Sequence, residues 1–563
     1  MAFEYKFGGR TITLPVDSSL VAVRFREPAP REVRAMHMAA LGAGPLQPRI
    51  ELPGEKFTLI SAGPGGMGFA AAAPGAMAGG PAAGPVARTA PVFKVNGQTV
   101  LATDRLIIGF NKDINDADAR RFLRRRNYEV IDEMEGAFVV RLGESVDPFA
   151  EIARLDQVKS VRYAEPDFVT IGRHIPQGPA PAEPLTTPAI AAAEAEPSDE
   201  PGPAAPATDP YLARQYAMKI TRADRAWKLL GNAANEQIKI AILDEGVDRA
   251  HEDLRILGEY DATGNDLDQQ PNPWDGHGTA CAGLAAAKGK NNVGIRGVAP
   301  GFPVIAVRIA YSAYPNGNWV TSNSIIARAI TWAWQSGADV LSNSWGGGAP
   351  SSLIVNAFES ARTKGRGGKG CVVVVAAGNS NSPIAFPADL PDVLTVTASN
   401  EYDQPKTPTS SDGETWWGSC YGPPADVAAP GVHNYTTDNS GGAGYSVGGV
   451  DPAGRLFSAN YTHNFNGTSS STPLVAGAAA LCLAVKKDLR EKQVREIIKA
   501  TADKVGGTYD ASGFNPRMGM GRLNVMKAVK LAKATTPNQG GATGASLPDA
   551  DVKPIKSSSK AGV

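Results

Sequence analysis

The chain has 563 residues, and its 56 Lys and Arg residues are balanced by 56 Asp and Glu residues. On a prior of roughly 150 residues per domain, this length predicts about three or four domains. Zero net charge argues against a general nucleic-acid-binding protein or a polybasic membrane-surface protein, because attraction to phosphate needs a positive field. The 62 Gly and 43 Pro residues together approach a fifth of the chain, against an average of about 12%. This excess indicates either a turn-rich protein or long linkers between ordinary domains.

The apolar stretches are too short to predict a membrane-spanning helix. The longest, around Val372–Ala377 and Ala478–Val485, fall well below the ~18 residues that a span needs. The first residues, MAFEYKFGGR, lack the apolar core of a standard secretory signal, so the location stays open between intracellular and exported by a non-standard route. Four widely spaced cysteines favour reduced thiols over a disulfide scaffold or a zinc knuckle.

Three stretches of biased composition predict linkers or a tail. Residues 61–91 are rich in Gly, Ala and Pro, which is typical of a mobile linker. Residues 174–208 are rich in Pro and acidic residues and contain no Lys or Arg, which predicts an extended, solvated tether. Residues 536–563 are polar and without periodicity, and we expect a disordered tail. The remaining parts are a small β-rich region at 1–60, a second small domain at 92–173 and a large domain at 209–535.

The two N-terminal parts show different patterns. Short alternating runs at Thr11–Leu14 and Leu20–Phe25 favour strands in the first. Residues 103–170 follow the order β-α-β-β-α-β, which predicts a small α+β, ferredoxin-like sandwich. Its predicted elements are strand Leu106–Phe110, helix Asp116–Arg126, strands Glu129–Ile131 and Ala137–Leu142, helix Pro148–Leu155 and strand Val161–Tyr163.

The large domain alternates apolar strands with helices. Runs of Val and Ile bounded by Gly, with helical crossovers between them, predict an α/β fold with a parallel sheet covered on both faces. In such sheets the active crevice lies beyond the carboxyl ends of the strands. The predicted strands are Ile238–Leu243, Val304–Ile309, Val340–Ser342 and Val372–Ala376, and the predicted helices include Gly278–Ala287, Ser322–Gln335 and Ser351–Lys364.

Three polar residues stand at the ends of these elements. Asp244 directly follows a strand, His277 begins an Ala/Gly-rich helix, and Ser469 opens a second small-residue helix. A serine hydroxyl is a weak nucleophile until an imidazole accepts its proton, and the imidazole needs a carboxylate to fix its tautomer. Each residue alone has a structural explanation as a cap, an ion-pair partner or a helix N-cap. Together they favour a nucleophilic hydrolase.

The segments AILDEG, HGTACAG and GTSSSTP resemble the three signature blocks of the subtilisin-like serine proteases, closest in detail to the kexin-like and bacterial branch. The chain order Asp, His, Ser is also that of this family. The resemblance extends over 209–530 and implies a subtilisin-like parallel sheet flanked by helices. It implies that Ser469 is the nucleophile, His277 the general base and acid, and Asp244 the orienting carboxylate. Asn379, in VVVVAAGNSN, stands where the family keeps its oxyanion-hole amide.

The resemblance also implies substrate contacts. Ser344, Trp345 and Gly346, in LSNSWGG, resemble the edge segment that pairs with an extended peptide by β-augmentation. Glu245 stands next to Asp244 and would favour a basic side chain in the second pocket; the alternative is a surface turn residue. No acidic residue lies in WGGGAPSS or GNSNSPIAFP, where the kexin-like branch keeps carboxylates for arginine. This departure argues against a dibasic specificity.

A structural calcium ion is the expected cofactor, and no catalytic cofactor is expected. Gln215, Asp253 and Asn291 match the family's strong calcium site, where backbone carbonyls complete the coordination. Oxygen ligands from scattered loops suit the flexible coordination of this ion. The alternative is three unrelated polar turn residues.

The domain at 92–173, ending in VRYAEPDF, resembles the propeptide of these proteases, an intramolecular chaperone and inhibitor. The expected function is a serine endopeptidase made as a self-processing zymogen, cut within about 170–209. Its partners would be protein and peptide substrates and its own pro-domain. Two alternatives stay open: a catalytically silent scaffold with the same fold, and an esterase or acyltransferase.

Overall fold

The computed structural model describes residues 3–25, 49–52, 57–61, 86–134, 136–175, 185–195, 209–230, 237–315, 318–446, 448–450 and 456–537. The chain divides into two compact units. The first unit holds Met1–His174 with the segments Ala310–Arg328 and Gly347–Ala357, and the second unit holds the rest.

The first unit is built around a ten-stranded antiparallel sheet and a separate hairpin. The hairpin strands are β1 (Phe3–Phe7) and β2 (Arg10–Leu14). The sheet strands are β3 (Val16–Phe25), β4 (Arg49–Leu52), β5 (Phe57–Ser61), β6 (Val86–Val95), β7 (Gln98–Phe110), β8 (Glu129–Met134), β9 (Ala137–Arg141), β10 (Val161–Gly172), β14 (Tyr311–Ser312) and β15 (Trp319–Ser322). Two helices, α1 (Asp116–Arg125) and α2 (Pro148–Leu155), belong to the same unit.

The elements predicted over 103–170 are all present. The strands pair in the order β8-β9-β7-β10, and α1 and α2 connect them in the predicted sequence order. Each helix begins at a capping side chain, because Asn115 accepts a hydrogen bond from the Asp118 amide and Asp147 accepts one from the Ala150 amide. Strand β10 is longer than predicted, and its last four residues pair antiparallel with β15.

The structure does not separate the region 1–60 from the domain at 92–173. Strand β3 pairs with both β5 and β6, so strands from both regions share one sheet. Residues 62–85 of the predicted linker lie outside the described residues, whereas Val86–Pro91 form the start of β6. The strand was not predicted because the Gly and Pro content was counted over the whole of 61–91. That count obscured the alternating burial pattern of residues 86–91. Aromatic side chains from the two regions meet in one core, including Phe3, Tyr5, Phe93, Phe149 and Phe168.

Two buried carboxylates of β10 serve as helix caps within the first unit. Glu165 accepts hydrogen bonds from the Ser351 hydroxyl at 2.6 Å and from the Ser352 amide at 2.9 Å. Asp167 accepts from the Ser324 amide at 2.9 Å and from the Ser324 hydroxyl at 2.7 Å. Both carboxylates are fully buried, so their hydrogen bonds replace lost water.

The second unit contains the predicted parallel sheet. Seven strands pair in parallel in the order β12-β13-β11-β16-β17-β18-β19. Their bounds are β11 Ile240–Asp244, β12 Ile256–Asp261, β13 Val304–Arg308, β16 Val340–Asn343, β17 Val372–Ala376, β18 Leu394–Ser399 and β19 Val427–Pro430. Two small antiparallel pairs are formed by β20 (Asn434–Thr437) with β23 (Tyr461–Phe465) and by β21 (Gly449–Val450) with β22 (Leu456–Phe457).

Two of the remaining helices are buried throughout the middle of the second unit. The first is His277–Ala286 and the second is Thr468–Val485, and both are rich in Ala and Gly. Every residue of the first and nearly every residue of the second is buried. The second is also the one helix among the described residues that is apolar and long enough to cross a membrane, and 89% of it is buried inside the protein. The helices after α2 are α3 (Pro188–Ala195), α4 (Tyr216–Ile220), α5 (Ala223–Leu230), α6 (His277–Ala286), α7 (Asn323–Gln335), α8 (Ser352–Gly368), α9 (Thr468–Val485), α10 (Glu491–Ala500) and α11 (Val525–Ala534).

The prediction of an extended, solvated tether at 174–208 is wrong for its middle part. Residues 188–195, PAIAAAEA, form helix α3, and Ile190 and Ala193 are 3% and 4% exposed. Proline at the first helical position and alanine after it favour a helix, and Thr187 caps the first turn by accepting from the Ile190 amide. The flanking prolines dominated the composition and concealed this short Ala-rich run. Residues 538–563 of the predicted tail lie outside the described residues.

The Glu165 caps make the stability of the first unit dependent on pH. Burial raises the pKa of Glu165 to about 7 from its ordinary 4.5. Because the folded pKa is the higher one, the stabilisation is complete below about pH 4.5 and is lost as pH rises through about 7. Between pH 5 and pH 8 we expect the unfolding free energy to fall by on the order of 2 kcal/mol from this group. Thermal unfolding followed by circular dichroism measures it.

The variant Glu165→Gln should remove most of that pH dependence, because glutamine keeps the shape and an acceptor oxygen but does not ionise. The matched control is Glu129→Gln, at a side chain that is 63% exposed on β8. A Glu165→Gln chain with the same pH profile as the unchanged protein would contradict the assignment.

Candidate active site

Asp244 and His277 form a buried pair at the carboxyl end of the parallel sheet. Asp244 is the last residue of β11, and His277 is the first residue of α6. The His277 Nδ1 and Asp244 Oδ1 atoms are 2.7 Å apart, and both residues are 5% exposed. Asp244 Oδ1 also accepts a hydrogen bond from the Glu245 amide at 2.9 Å. The carboxylate therefore fixes the orientation of the imidazole and leaves Nε2 on the opposite side of the ring.

A glycine allows this approach of helix to strand. A Cβ atom on Gly278 would lie 2.0 Å from the Gly246 carbonyl oxygen, closer than any real Cβ contact. Any larger residue at this position would push the start of α6, and His277 with it, away from Asp244.

Ser469 stands in the first turn of α9, where the helix dipole presents partial positive charge. Its hydroxyl donates to the Ser344 carbonyl at 3.2 Å, and the Ser344 hydroxyl donates to the Ser469 carbonyl at 3.0 Å. The preceding Gly467 has a φ of +107°, which disfavours residues with a side chain. These contacts hold the serine where β16 ends.

Asn379 follows strand β17 and is anchored to the residue before Ser469. Its Oδ1 accepts from the Thr468 amide at 2.8 Å and from the Thr468 hydroxyl at 2.9 Å. The same hydroxyl accepts from the Gly378 amide at 3.1 Å. Since the oxygen is held by Thr468, the Asn379 Nδ2 amide group points in the opposite direction and is available as a fixed hydrogen-bond donor.

The segment Ser344–Gly346 continues from the end of β16, as the sequence led us to expect. Trp345 stacks on Phe358 with ring centroids 6.2 Å apart and an interplanar angle of 11°. Packing of this indole fixes the backbone of the segment. The structure thus places this segment beside Ser469, and its pairing with a substrate stays a prediction.

Glu245 is not a surface turn residue, because it is only 3% exposed. The next residue, Gly246, has a φ of +98°. Burial raises the pKa of Tyr445 well above its ordinary value, and the negative charge of Glu245 adds to this rise. The carboxylate is therefore inside the site region, and its contact with substrate stays a prediction.

Cys281 is a further residue of this site that the sequence analysis left out. It lies one helical turn after His277, with its Sγ 3.9 Å from His277 Nδ1 and 3.5 Å from the Ser469 carbonyl oxygen. Burial, with the charge of Asp244, raises the pKa of this thiol well above its ordinary value, so it stays protonated. The i, i+4 spacing from His277 was the available signal. All four cysteines are free and buried, which confirms the prediction of reduced thiols.

Of the three predicted calcium ligands, Gln215 is already occupied by other contacts. Its Oε1 accepts from the Arg296 amide at 2.9 Å. Its Nε2 donates to the Arg296 carbonyl at 3.0 Å and to the Tyr435 carbonyl at 3.3 Å. Gln215 therefore links main chain to main chain, and its role as a calcium ligand stays a prediction.

Asp253 and Asn291 are brought together, and Asp209 joins them. The Asn291 Nδ2 donates to Asp253 Oδ1 at 2.8 Å, and the Asn291 amide donates to Asp209 Oδ1 at 3.2 Å. Burial, with the charge of Asp209, raises the pKa of Asp253 to about 6. The guanidinium of Arg296 pairs with the other oxygen of Asp209. The carboxylates of Asp209 and Asp253 thus lie on either side of Asn291, and side-chain oxygens of this kind suit a calcium ion.

A family model and several known proteins are similar in sequence to this chain. The family model described as "Subtilase family" matches residues 235–521. A calcium-dependent protease of Nostoc sp. is 37% identical over 346 residues, covering 56% of this chain and 49% of that protein. Thermitase of Thermoactinomyces vulgaris is 34% identical over 328 residues, covering 57% of this chain and 98% of thermitase. The range that the family model matches includes Asp244, His277 and Ser469.

One solved structure extends the similarity to more of the chain. Fervidolysin from Fervidobacterium pennivorans, described as a keratinolytic enzyme related to subtilisin, aligns with a TM-score of 0.59 at 23% identity. The alignment covers 77% of this chain and 61% of fervidolysin. This likeness shows a shared fold. The chain spans about half the length of the calcium-dependent proteases, 49% of each.

Proposed function

Since the chain belongs to the subtilase family and has its subtilisin-like fold, we propose that it is a serine endopeptidase. The observation that carries the proposal is the buried pair of His277 and Asp244, whose Nδ1 and Oδ1 atoms are 2.7 Å apart. His277 lies on the helix whose Cys281 contacts the carbonyl of Ser469. A carboxylate, an imidazole and a serine at a helix N-terminus are the components of nucleophilic acyl transfer.

The proposed reaction begins when Ser469 Oγ attacks the carbonyl carbon of a peptide bond. His277 Nε2 accepts the serine proton and then passes it to the leaving amine, while Asp244 stabilises the imidazolium. The negative charge on the tetrahedral oxygen is met by Asn379 Nδ2 and by the N-terminus of α9. Water then hydrolyses the acyl-enzyme with His277 acting again as base.

The proposed substrate is an extended peptide that pairs with Ser344–Gly346. Backbone pairing recognises main chain, and this suits a protein substrate better than a small ester. The segments WGGGAPSS and GNSNSPIAFP contain no acidic residue, so no charge there selects arginine. Glu245, buried beside Asp244, would favour a basic residue in the second pocket.

We expect Ser469→Ala to abolish peptide hydrolysis and covalent labelling by a fluorophosphonate, because no nucleophile remains. Asn379→Ala should retain labelling but lower kcat by about 10²- to 10³-fold with little change in KM, because the amide acts on the transition state. Peptide-cleavage kinetics and mass-spectrometric mapping of the adduct measure both effects.

The control for these variants is Ser411→Ala, at an exposed serine of the second unit. It should keep full labelling and activity. Unchanged labelling of the Ser469→Ala chain, or an adduct mapped elsewhere, would favour the silent-scaffold alternative.

We propose that the ferredoxin-like part at 92–173 is an inhibitory pro-domain, and that the strands of residues 1–60 leave with it. Three contacts support this. The end of β10 adds as a strand to β15, and Glu165 and Asp167 cap segments from later in the chain. In the second unit, Ile175 packs against the cluster of Ala398, Trp417 and Val432 and lies beside Gly467, two residues before Ser469. A peptide bond next to Ile175 is therefore the proposed cleavage site.

Self-processing predicts that the purified Ser469→Ala chain stays at full length, whereas the unchanged protein is cut within 170–209, next to Ile175. Intact mass and N-terminal sequencing measure the product. Mixing labelled Ser469→Ala chain with active protein separates cleavage within one molecule from cleavage between molecules. Trimming of isolated Ser469→Ala protein at the same bond would contradict a self-processing mechanism.

We propose that Asp209, Asp253 and Asn291, with backbone carbonyls, hold a structural calcium ion. The carboxylates that meet at Asn291 support the assignment, and one of the similar proteins reported above is named as calcium-dependent. The ion would fasten the segment around Asp209 to the loop that contains Asn291. It takes no part in the chemistry of Ser469.

Removing calcium with a chelator should lower the thermal midpoint of the second unit by about 5 °C or more, since binding to the folded state alone stabilises it. Asp253→Asn should lower the midpoint with calcium present and make the protein insensitive to chelator. The matched control is Asp268→Asn, whose side chain is 75% exposed. A midpoint that chelator leaves unchanged in the purified protein would remove the site.

A further inference from the structure

We infer that helix α3 remains bound to the catalytic unit after cleavage and stabilises it, and that it is not part of the discarded linker. The surface that receives it, here called the α3 dock, consists of Tyr216, Ile220, Arg222, Arg225 and the main-chain oxygen of Glu401. The inference rests on the proposed self-processing and adds where the processed chain begins and what its first segment binds.

The apolar side of α3 is buried as deeply as an ordinary core helix. Ile190 is 3% exposed and Ala193 is 4% exposed, and they pack with Tyr216 at 2% and Ile220 at 0%. Leu185 packs against the same cluster. Burial of this extent is typical of a fixed element and not of a tether that passes over a surface.

Polar contacts satisfy both ends of the helix. At the start, the Thr187 hydroxyl donates to the Glu401 carbonyl at 2.5 Å and accepts from the Ile190 amide at 3.3 Å. At the end, the Ala193 carbonyl accepts from Arg222 and, at 2.9 Å, from Arg225 Nη2. Cations at a helix C-terminus also favour the helix dipole. Specific contacts at both ends define one register of the helix in its dock.

A further ion pair closes the side of the helix. The Glu194 carboxylate lies 2.6 Å from Lys219 Nζ on α4. Lys219 of α4, Arg222 between α4 and α5, and Arg225 of α5 therefore all contact the last turn of α3. An isolated eight-residue helix is unstable in water, so α3 depends on these contacts for its structure.

The position of α3 in the chain decides whether it survives cleavage. A cut beside Ile175 leaves α3 joined to Asp209 through residues 196–208. This covalent connection keeps the helix at a high effective concentration near the α3 dock, so that even a weak contact stays formed. A cut after Ala195 would instead release the helix with the pro-domain.

The dock also connects α3 with the residues in front of Ser469. Thr187 holds the main chain of Glu401, and the Glu401 carboxylate lies 3.0 Å from His433 Nδ1. The His433 amide donates to Asn466 Oδ1 at 2.7 Å, and Asn466 immediately precedes Gly467. Loss of α3 should therefore loosen this loop as well as lower stability.

The first test uses the Ser469→Ala chain, whose result does not depend on activity. Hydrogen exchange should show slow exchange for amides of 191–195 in that chain. Ile190→Asp in the same background should accelerate their exchange at least tenfold, because it places a carboxylate among Tyr216 and Ile220. Ala191→Asp is the matched control, at an exposed position of the same helical turn, and should leave the rate unchanged. Fast exchange in the parent chain would overturn the docking.

The second test uses the processed, fluorophosphonate-labelled protein. We expect its N-terminus between residues 174 and 185, and we expect Ile190→Asp, unlike Ala191→Asp, to lower its thermal midpoint by about 5 °C and to allow trimming towards Asp209. A labelled protein that begins after Ala195 would overturn the inference while leaving the proposed protease intact. A chain that takes no label but protects α3 would overturn the protease and support the dock.

Discussion

The distance between the start of α6 and the end of β11 is the constraint on which the site depends. Asp244 and His277 belong to different elements, and only a close approach brings them within hydrogen-bonding distance. The approach needs Gly278, since a Cβ there would lie 2.0 Å from the Gly246 carbonyl oxygen. Further along α6, a Cβ on Gly283 would lie 2.2 Å from Thr437 Oγ1. The backbone of this helix is thus packed directly against its neighbours, and that packing determines the position of the His277 imidazole.

Helix α9 also packs closely against its neighbours through small residues. A Cβ on Gly477 would lie 2.7 Å from Val298 Cβ, and Cys281 of α6 touches the Ser469 carbonyl. Two helices that carry the nucleophile and the base are therefore held by small residues and not by interlocking large side chains. Part of the glycine excess thus serves close packing around the site, besides the biased stretches that the composition first indicated.

The sequence was most informative where a short local pattern determines the structure. Asp244 ends an apolar strand, and His277 and Ser469 stand in the first turn of small-residue helices, so the elements that carry them were predictable. Long-range pairing was not predictable: the union of the region 1–60 with the next domain depends on strands far apart in the chain. Asp209 was not among the predicted ligands, because only the folded backbone brings its carboxylate to the Asn291 amide. Helix α3 was not predicted because the flanking prolines concealed its short Ala-rich run, and so short a helix also needs the contacts of its dock.

The loop in front of Ser469 is held from two directions, and this unites the separate observations. On one side Thr468 fixes Asn379. On the other side Asn466 accepts from the His433 amide and donates to Glu414 at 2.8 Å. Although burial opposes its charge, contact with Glu401 and Glu414 raises the pKa of His433, so this buried cluster is held together by charge as well as by hydrogen bonds. Thr187, which caps α3, donates a hydrogen bond to the Glu401 carbonyl. A segment far from the triad in sequence therefore contributes to the rigidity of the loop that carries the nucleophile.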